Sequence, residues 1–228
     1  LVYAGQKYFS TRDPLDWRDA LSKWNLFLFL FSLATSIRCW PQVFHNMRSF
    51  SLEQVFCFNP ESSYASGSTG CWCFLFAMSK TLELFDTMFI VVHKKKLTFL
   101  HVFHHAIVEL GAWHSYITRD PTGILAVCFN ATVHTAMYFY YYLMSIKAKG
   151  WIHPKLVTWM QLTQFGVGMF VTSFSAYVWW FVPGCAMKWN HVAVGVPLVA
   201  FFLYLFASFY FKRYNAGKKA ASPTKKDA

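Results

Sequence analysis

Residues 97–117 read LTFLHVFHHAIVELGAWHSYI, an apolar stretch in which His101, His104 and His105 fall on one helical face. Roughly 20 apolar residues are enough for a helix to cross a bilayer, so the stretch predicts a membrane span. Imidazole groups are costly in hydrocarbon, and three of them at steps of three and four residues indicate a functional site.

The composition of the whole chain also indicates a membrane protein. Of its 228 residues, 56% are hydrophobic and only 14% are charged, which is rare in a soluble domain. Apolar runs predict six spans, near residues 24–44, 70–92, 97–117, 123–144, 156–183 and 191–211. The first five residues resemble the end of an earlier span or a reentrant tail. We therefore predict an all-α membrane protein, a single multi-pass domain over residues 1–228 whose first of seven helices is mostly missing.

Charged residues predict the orientation, because cytoplasmic loops collect Lys and Arg. If the spans alternate, one side receives most of the basic residues, while the other keeps only Arg48, Arg119 and Lys188 in its loops. The richer side holds Lys7, Arg12, Arg18, Lys23, Lys94, Lys95, Lys96, Lys147, Lys149, Lys155 and a basic tail over residues 212–228. We place this side in the cytosol. The net charge of +11 then reflects topology and anionic headgroups, and no nucleic-acid motif is present.

Two further signals depend on this topology. The dilysine Lys225-Lys226 near the end of the cytosolic tail is of the kind associated with retrieval to the endoplasmic reticulum, and the alternative is a solvated basic tail. Cys57 and Cys185 fall in loops on the non-cytosolic side, where oxidising conditions permit a disulfide between them. Two free buried thiols are the alternative.

The remaining cysteines show no spacing that indicates a metal site, and Cys128 is the single cysteine of its apolar span.

Polar residues recur at helical spacing in the neighbouring spans: Lys80, Glu83, Asp86 and Thr87, then Asn130, His134 and Tyr138, then Thr158, Gln161 and Gln164. Buried charges must be paired whatever their purpose, so the first set predicts either a charge cluster that joins helices or a substrate site. Glutamine side chains also join membrane helices, and the same alternative holds for Gln161 and Gln164.

Depth in the membrane brings these residues into one layer. A helix rises about 1.5 Å per residue, which puts His104, Asp86 and Gln161 roughly 10 Å inside the cytosolic end of their spans. By the same rise Glu83, His134 and Gln164 lie roughly 12 to 17 Å inside. The other halves of these spans are almost purely apolar and aromatic. A polar chamber open to the cytosol, continued by an apolar tunnel, suits a substrate with a charged head and a long acyl tail.

Four motifs in this order resemble the signature motifs of the very-long-chain fatty acid elongases. They are KxxExxDT at 80–87, HxxHH at 101–105, NxxxHxxMYxYY at 130–141 and TxxQxxQF at 158–165. The likeness extends from about residue 24 to residue 211. It implies seven transmembrane helices, six of them around a narrow acyl tunnel. It also implies an enzyme of the endoplasmic reticulum that condenses a long-chain acyl-CoA with malonyl-CoA to a 3-oxoacyl-CoA, releasing CO2 and CoA, without a cofactor.

The resemblance and the chemistry of the side chains give provisional roles. A neutral imidazole can accept an acyl group from a thioester, and we expect His104 to do so. His134 would assist the decarboxylation of malonyl-CoA or share the covalent role, and His101 and His105 would orient and tune the acceptor. Asn130, Tyr138 and Gln161 are candidate donors to the thioester oxyanion and the enolate. Lys80 would stabilise the malonyl carboxylate or hold Glu83 and Asp86.

Substrate preference and partners are less defined. The lysines at 94–96, 147, 149 and 155 are candidates for the CoA phosphates, although topology alone would place them there. Lys96 before the histidine box resembles elongases of saturated and monounsaturated chains, whereas Glu109 replaces a residue that is apolar in relatives and could change the tunnel lining. The expected partners are membrane lipids and the ketoacyl reductase, dehydratase and enoyl reductase of the elongation cycle, and homo-oligomerisation stays open.

Two other classes of function compete. A di-iron membrane desaturase or hydroxylase also uses HxxHH boxes, but it needs more ligands than these spans offer, and no second box is present. A lipid-binding or transport protein could keep the tunnel without the chemistry. The intact motifs argue against that second alternative, and no metal is expected at the histidines.

Overall fold

The computed structural model describes residues 2–13, 15–148 and 150–214, and the secondary structure of these ranges is entirely helical. The helices are α1 (Val2–Ser10), α2 (Arg18–Ser49), α3 (Leu52–Cys57), α4 (Pro60–Ser63), α5 (Gly67–Glu83), α6 (Phe85–Val92), α7 (Phe99–Thr118), α8 (Gly123–Ser145), α9 (Pro154–Phe181) and α10 (Trp189–Tyr214). Each predicted span coincides with one helix, except that 70–92 is divided between α5 and α6. The predicted all-α architecture is confirmed.

The long helices pack side by side. α2 packs mainly against α8, α10 against α9, and α5 against α7, while the short α1 lies on α6. Taken singly, α2 and α10 are the helices of the described ranges that are long and apolar enough to cross a membrane. Helices α5 and α6 are each too short to cross alone, and polar residues predicted for the site lower the apolarity of α7 to α9.

The connections fall at two ends of the bundle. Residues 93–98, 146–148 and 150–153 lie at what we call the basic end, together with Arg18 at the start of α2. Local signals explain the helix starts there, since the Thr98 side chain accepts from the His101 N–H and Pro154 occupies the first turn of α9. Residues 50–66, 119–122 and 182–188 meet at the opposite end, which we call the disulfide end.

The helix predicted over 70–92 is interrupted at Leu84, which corrects the single continuous span. The Leu84 N–H bonds to the Thr81 carbonyl at 3.3 Å, and the Thr87 N–H bonds to the Leu84 carbonyl at 3.1 Å. These are tight turns of the 3₁₀ type, which often mark functional positions inside a helix. The interruption separates Lys80 and Glu83 on α5 from Asp86 and Thr87 on α6.

A disulfide joins Cys57 to Cys185, which is the pairing that the sequence predicts. It ties the α3–α4 segment to the loop between α9 and α10, and the Ala186 N–H also bonds to the Cys57 carbonyl at 3.0 Å. Tyr64 closes the same end, because its hydroxyl donates to the Asp120 carbonyl. Burial, reinforced by the Asp120 carboxylate, holds the pKa of Tyr64 well above its ordinary value.

The cysteines inside the bundle are not isolated from one another. Cys39 on α2, Cys73 on α5 and Cys128 on α8 are all buried in one apolar cluster. Cys128 is the single cysteine of α8, and its place beside cysteines of α2 and α5 could not be predicted because the sequence does not show which helices pack together. Cys71 is exposed on the outside of α5. Lys149, the tail beyond residue 214 and the dilysine Lys225-Lys226 lie outside the described residues.

Candidate active site

A polar chamber of about 640 Å³ lies between the helices and reaches the basic end. Eight of the residues predicted for the site line it: Asp86, His101, His104, His105, Asn130, His134, Gln161 and Gln164. They come from α6, α7, α8 and α9. The layer expected from depth along the spans is therefore formed in the structure.

Of His101, His104 and His105, only His101 has a side-chain hydrogen bond within the described residues, and His104 packs mainly against aromatic rings. The ring of His104 packs edge-on against Phe202 and Phe206, with ring centroids 5.3 and 5.8 Å away, and it makes no side-chain hydrogen bond to the described residues. His101 is held by Thr87, whose hydroxyl lies 3.0 Å from the His101 Nε2 atom. The ring of His105 lies 4.3 Å from that of His101. His104 is thus positioned by apolar packing, and its nitrogens are left for a ligand.

Behind the chamber wall lies a buried charge cluster. The Lys80 ammonium donates to Glu83 at 2.6 Å and to the Asn130 side-chain oxygen at 2.8 Å. Glu83 also lies 3.5 Å from the Nδ1 atom of His134. Lys80 and Glu83 are 2% and 3% exposed, and neither lines the chamber. Their opposite charges offset the cost of burial, so they support Asn130 and His134 from behind.

The contacts of Asn130 determine which atoms it offers to the chamber. Its side-chain oxygen accepts from Lys80, so its amide N–H groups point away from that ammonium. Since Asn130 lines the chamber, these N–H groups are available as hydrogen-bond donors there. Gln161 is the other amide of the predicted set with a defined contact, at 3.4 Å between its Nε2 atom and the sulfur of Met137.

Asp86 holds a second buried network. Its two carboxylate oxygens accept from the Trp24 indole at 2.6 Å and from the Tyr138 hydroxyl at 2.8 Å. Tyr138 is almost fully buried and does not line the chamber. We predicted that Tyr138 donates to the substrate, but its hydroxyl is committed to Asp86. Tyr138 therefore positions Asp86 in this structure. No sequence pattern indicated a role for Trp24, which lies 62 positions before Asp86.

An apolar cavity of about 300 Å³ continues from the chamber toward the disulfide end. Asn130, Gln164 and Phe165 border both spaces. The walls beyond them are mainly aliphatic and small residues of α5, α7, α8, α9 and α10, and the far end is formed by Tyr64, Ser115 and Asp120. Glu109 lines neither space, because its carboxylate accepts from Thr81 on α5 at 2.7 Å. The expected effect of Glu109 on the tunnel lining is therefore not found.

The mouth of the chamber is basic. Arg18, Lys95 and Lys147 line it, and Arg18 is an addition to the lysines predicted for this position. Lys94 instead donates to the Ser10 carbonyl at 3.2 Å, and Lys155 lies over the ring of Tyr210. Arg18 was missed because the apolar run that marks this helix starts at residue 24.

The histidines do not form a metal-ligand cluster in this arrangement. Within residues 2–13, 15–148 and 150–214, no three or more His, Cys, Asp or Glu side chains are grouped in a way that could hold a metal ion. The di-iron alternative would require such a group. A reaction that needs no metal stays a prediction.

The fold and the site define a class of protein: an all-α membrane protein with a histidine-lined polar chamber that leads into an apolar cavity. The chain belongs to the GNS1/SUR4 (ELO) family, whose model matches residues 1–222. "Long chain fatty acid elongase 2" of Caenorhabditis elegans is 33% identical over 98% of this chain and 81% of its own length. "Very long chain fatty acid elongase 3" of Mus musculus is 32% identical over 97% of this chain and 82% of its own.

A third relative, "Fatty acid elongase 2" of Trypanosoma cruzi, is 33% identical over 91% of this chain and 77% of its own length. All three names refer to fatty acid elongation. This chain is therefore an enzyme of fatty acid elongation and a membrane protein, as the four motifs predicted.

Proposed function

We propose that the protein is a very-long-chain 3-oxoacyl-CoA synthase that condenses a long-chain acyl-CoA with malonyl-CoA. The observation that carries this proposal is the environment of His104. Its imidazole lines the chamber without a side-chain hydrogen bond to the described residues, and the rings of Phe202 and Phe206 pack against it. Such an imidazole is suited to nucleophilic attack on a thioester, because no neighbouring group competes for its lone pair.

In the first step, a nitrogen of His104 attacks the thioester carbonyl of the acyl-CoA. A bond forms between this nitrogen and the acyl carbon, and the bond from that carbon to sulfur breaks. The CoA thiolate leaves and takes up the proton that the imidazole loses. The oxyanion of this step needs preorganised donors, and the amide groups of Asn130 and Gln161 are the candidates that line the chamber.

In the second step, malonyl-CoA loses its carboxylate as CO2, and the electron pair of the broken bond forms an enolate. The enolate carbon attacks the acyl carbon, the bond from that carbon to the His104 nitrogen breaks, and the departing imidazole takes up a proton from water. We assign His134 to this step, because Glu83 lies beside its Nδ1 atom and can orient the ring. Lys80 is occupied by Glu83 and Asn130, which favours a role in holding Glu83 over direct binding of malonate.

The basic mouth and the apolar cavity suit the two parts of an acyl-CoA. Arg18, Lys95 and Lys147 can bind the phosphates of CoA, and the apolar cavity can receive the acyl chain. We further propose that the protein lies in the endoplasmic reticulum membrane with its basic end on the cytosolic side, as the distribution of Lys and Arg favours. The disulfide end would then face the lumen, where oxidising conditions maintain such bonds. The reductases and the dehydratase of the cycle would act on the product released at the basic end.

The test is incubation of the purified protein with labelled malonyl-CoA and palmitoyl-CoA. We expect a 3-oxoacyl-CoA two carbons longer, and mass spectrometry after palmitoyl-CoA alone should find the acyl group on His104. H104A should abolish product formation, whereas H45A, at an exposed histidine of α2, should leave it unchanged. Normal turnover by H104A would reject the assigned role. If the purified protein contains stoichiometric iron and forms no condensation product, the synthase is rejected in favour of the di-iron alternative.

A further inference from the structure

Gly111 of α7 borders the apolar cavity and differs from the neighbouring glycines of the same wall. A Cβ atom built on Gly111 meets no heavy atom within 4 Å. On Gly168 a Cβ atom would lie 3.2 Å from Val199, and on Gly195 it would lie 3.3 Å from Thr172. The last two glycines therefore allow α9 and α10 to approach each other. Helix packing does not require a glycine at position 111.

The space beside Gly111 lies on the path that an acyl chain would take. Gly111 follows His104 by seven residues on the same helix, which is about 10 Å of helix rise toward the disulfide end. The lining of the same cavity also includes the small residues Ala77 on α5 and Ala126 on α8. A larger side chain at 111 would project into the cavity and narrow it.

Glycine in the interior of a helix costs roughly 0.5–1 kcal/mol relative to alanine. No packing contact requires a glycine at 111, and the position opens onto the apolar cavity. We infer that Gly111 is a specificity-determining residue, which keeps the cavity open so that long acyl chains can pass beyond the level of α7 where it lies. The inference rests on the proposed function, and it adds a residue that allows long acyl chains to enter the cavity.

The experiment compares the turnover of stearoyl-CoA with that of lauroyl-CoA and shorter acyl-CoAs in G111L, G111A and wild type. We expect the ratio of stearoyl-CoA to lauroyl-CoA turnover to fall about tenfold or more in G111L, which corresponds to roughly 1.4 kcal/mol. A smaller fall is expected in G111A, because one methyl group blocks less of the cavity. Both variants should unfold at the same temperature as wild type or higher, because glycine disfavours the helix.

G166L is the matched control. Gly166 lies on the exposed side of α9, borders neither cavity, and a Cβ atom there also meets nothing within 4 Å. G166L should keep the wild-type ratio.

An unchanged ratio in G111L, or an equal loss of turnover at every chain length, would overturn the inference. If G111L has no measurable turnover, the ratio in G111A decides. Failure of the wild type to elongate any acyl-CoA would instead reject the proposed function.

Discussion

The chamber and the apolar cavity lie end to end within the same helices, and their walls are held in different ways. Around the chamber, polar groups are paired with one another, as Lys80 is with Glu83 and Asp86 is with Tyr138. Around the apolar cavity, aliphatic and small residues pack without defined polar contacts until the far end at Tyr64 and Asp120. A substitution near the chamber therefore changes charge balance, whereas a substitution in the apolar wall changes volume.

Removing one charge from the cluster behind the chamber should have the largest effect. E83Q leaves the Lys80 ammonium buried without an opposite charge, and breaking a buried pair in this way typically costs about 3–5 kcal/mol. We expect a loss of that size in the free energy of unfolding, measured by denaturation in detergent, together with loss of turnover. E53Q, at an exposed carboxylate of α3, is the control.

A double variant separates stability from chemistry in the same cluster. Replacing both partners, in K80M with E83L, removes both buried charges and should recover most of the lost stability. Turnover should not return, because His134 has lost its carboxylate neighbour. If E83Q alone is as stable as wild type, the ion pair between Lys80 and Glu83 does not stabilise the helices around the chamber.

Removing the disulfide tests the disulfide end of the bundle, beyond the apolar cavity. Replacing Cys57 and Cys185 together by serine removes a link across 128 positions of the chain and should cost about 2–5 kcal/mol of stability. At low temperature the variant should still elongate acyl chains, since the link lies at the end away from the chamber. C71S, at an exposed thiol, should change neither property. Identical peptide maps of reduced and non-reduced wild type would show that the link is absent.

A single hydrogen bond of the chamber should give the smallest effect. Y138F removes one of the two donors to Asp86 and leaves the Trp24 indole in place. We expect a loss of about 1–3 kcal/mol in stability, the usual cost when a buried partner is deleted. Y142F, at a tyrosine on the same helix without a side-chain hydrogen bond in the described ranges, should be close to neutral. Equal effects of the two variants would argue against the Asp86 network.

The positions of the helices and of most chamber residues could be predicted from the sequence because they depend on local periodicity. His101, His104 and His105 share a helical face because they are three and four residues apart. The lengths of the apolar runs locate the spans. The break at Leu84 could not be predicted, since neither glycine nor proline occurs there.

Contacts between residues that are distant in the sequence could not be predicted either, because helical periodicity describes only one helix at a time. Trp24 of α2 bonds to Asp86 of α6. Cys39 lies in one cluster with Cys73 and Cys128 because α2 packs beside α5 and α8. The same limit explains why Tyr138 was assigned to the substrate. Its spacing shows that it lies on the polar face of α8, but the spacing does not show that Asp86 lies opposite its hydroxyl.

The bond between Cys57 and Cys185 turns the chain into a closed ring with two arms. Helices α4 to α9 lie inside the ring, so the four histidines of α7, His134 and both glutamines of α9 belong to it. Helices α2 and α10 are the arms, and each continues from the ring through an ordinary peptide linkage. A single cut within the ring would therefore leave the two pieces covalently joined, whereas a cut in an arm would release it. The reactive groups are carried on the part of the molecule that is the hardest to take apart.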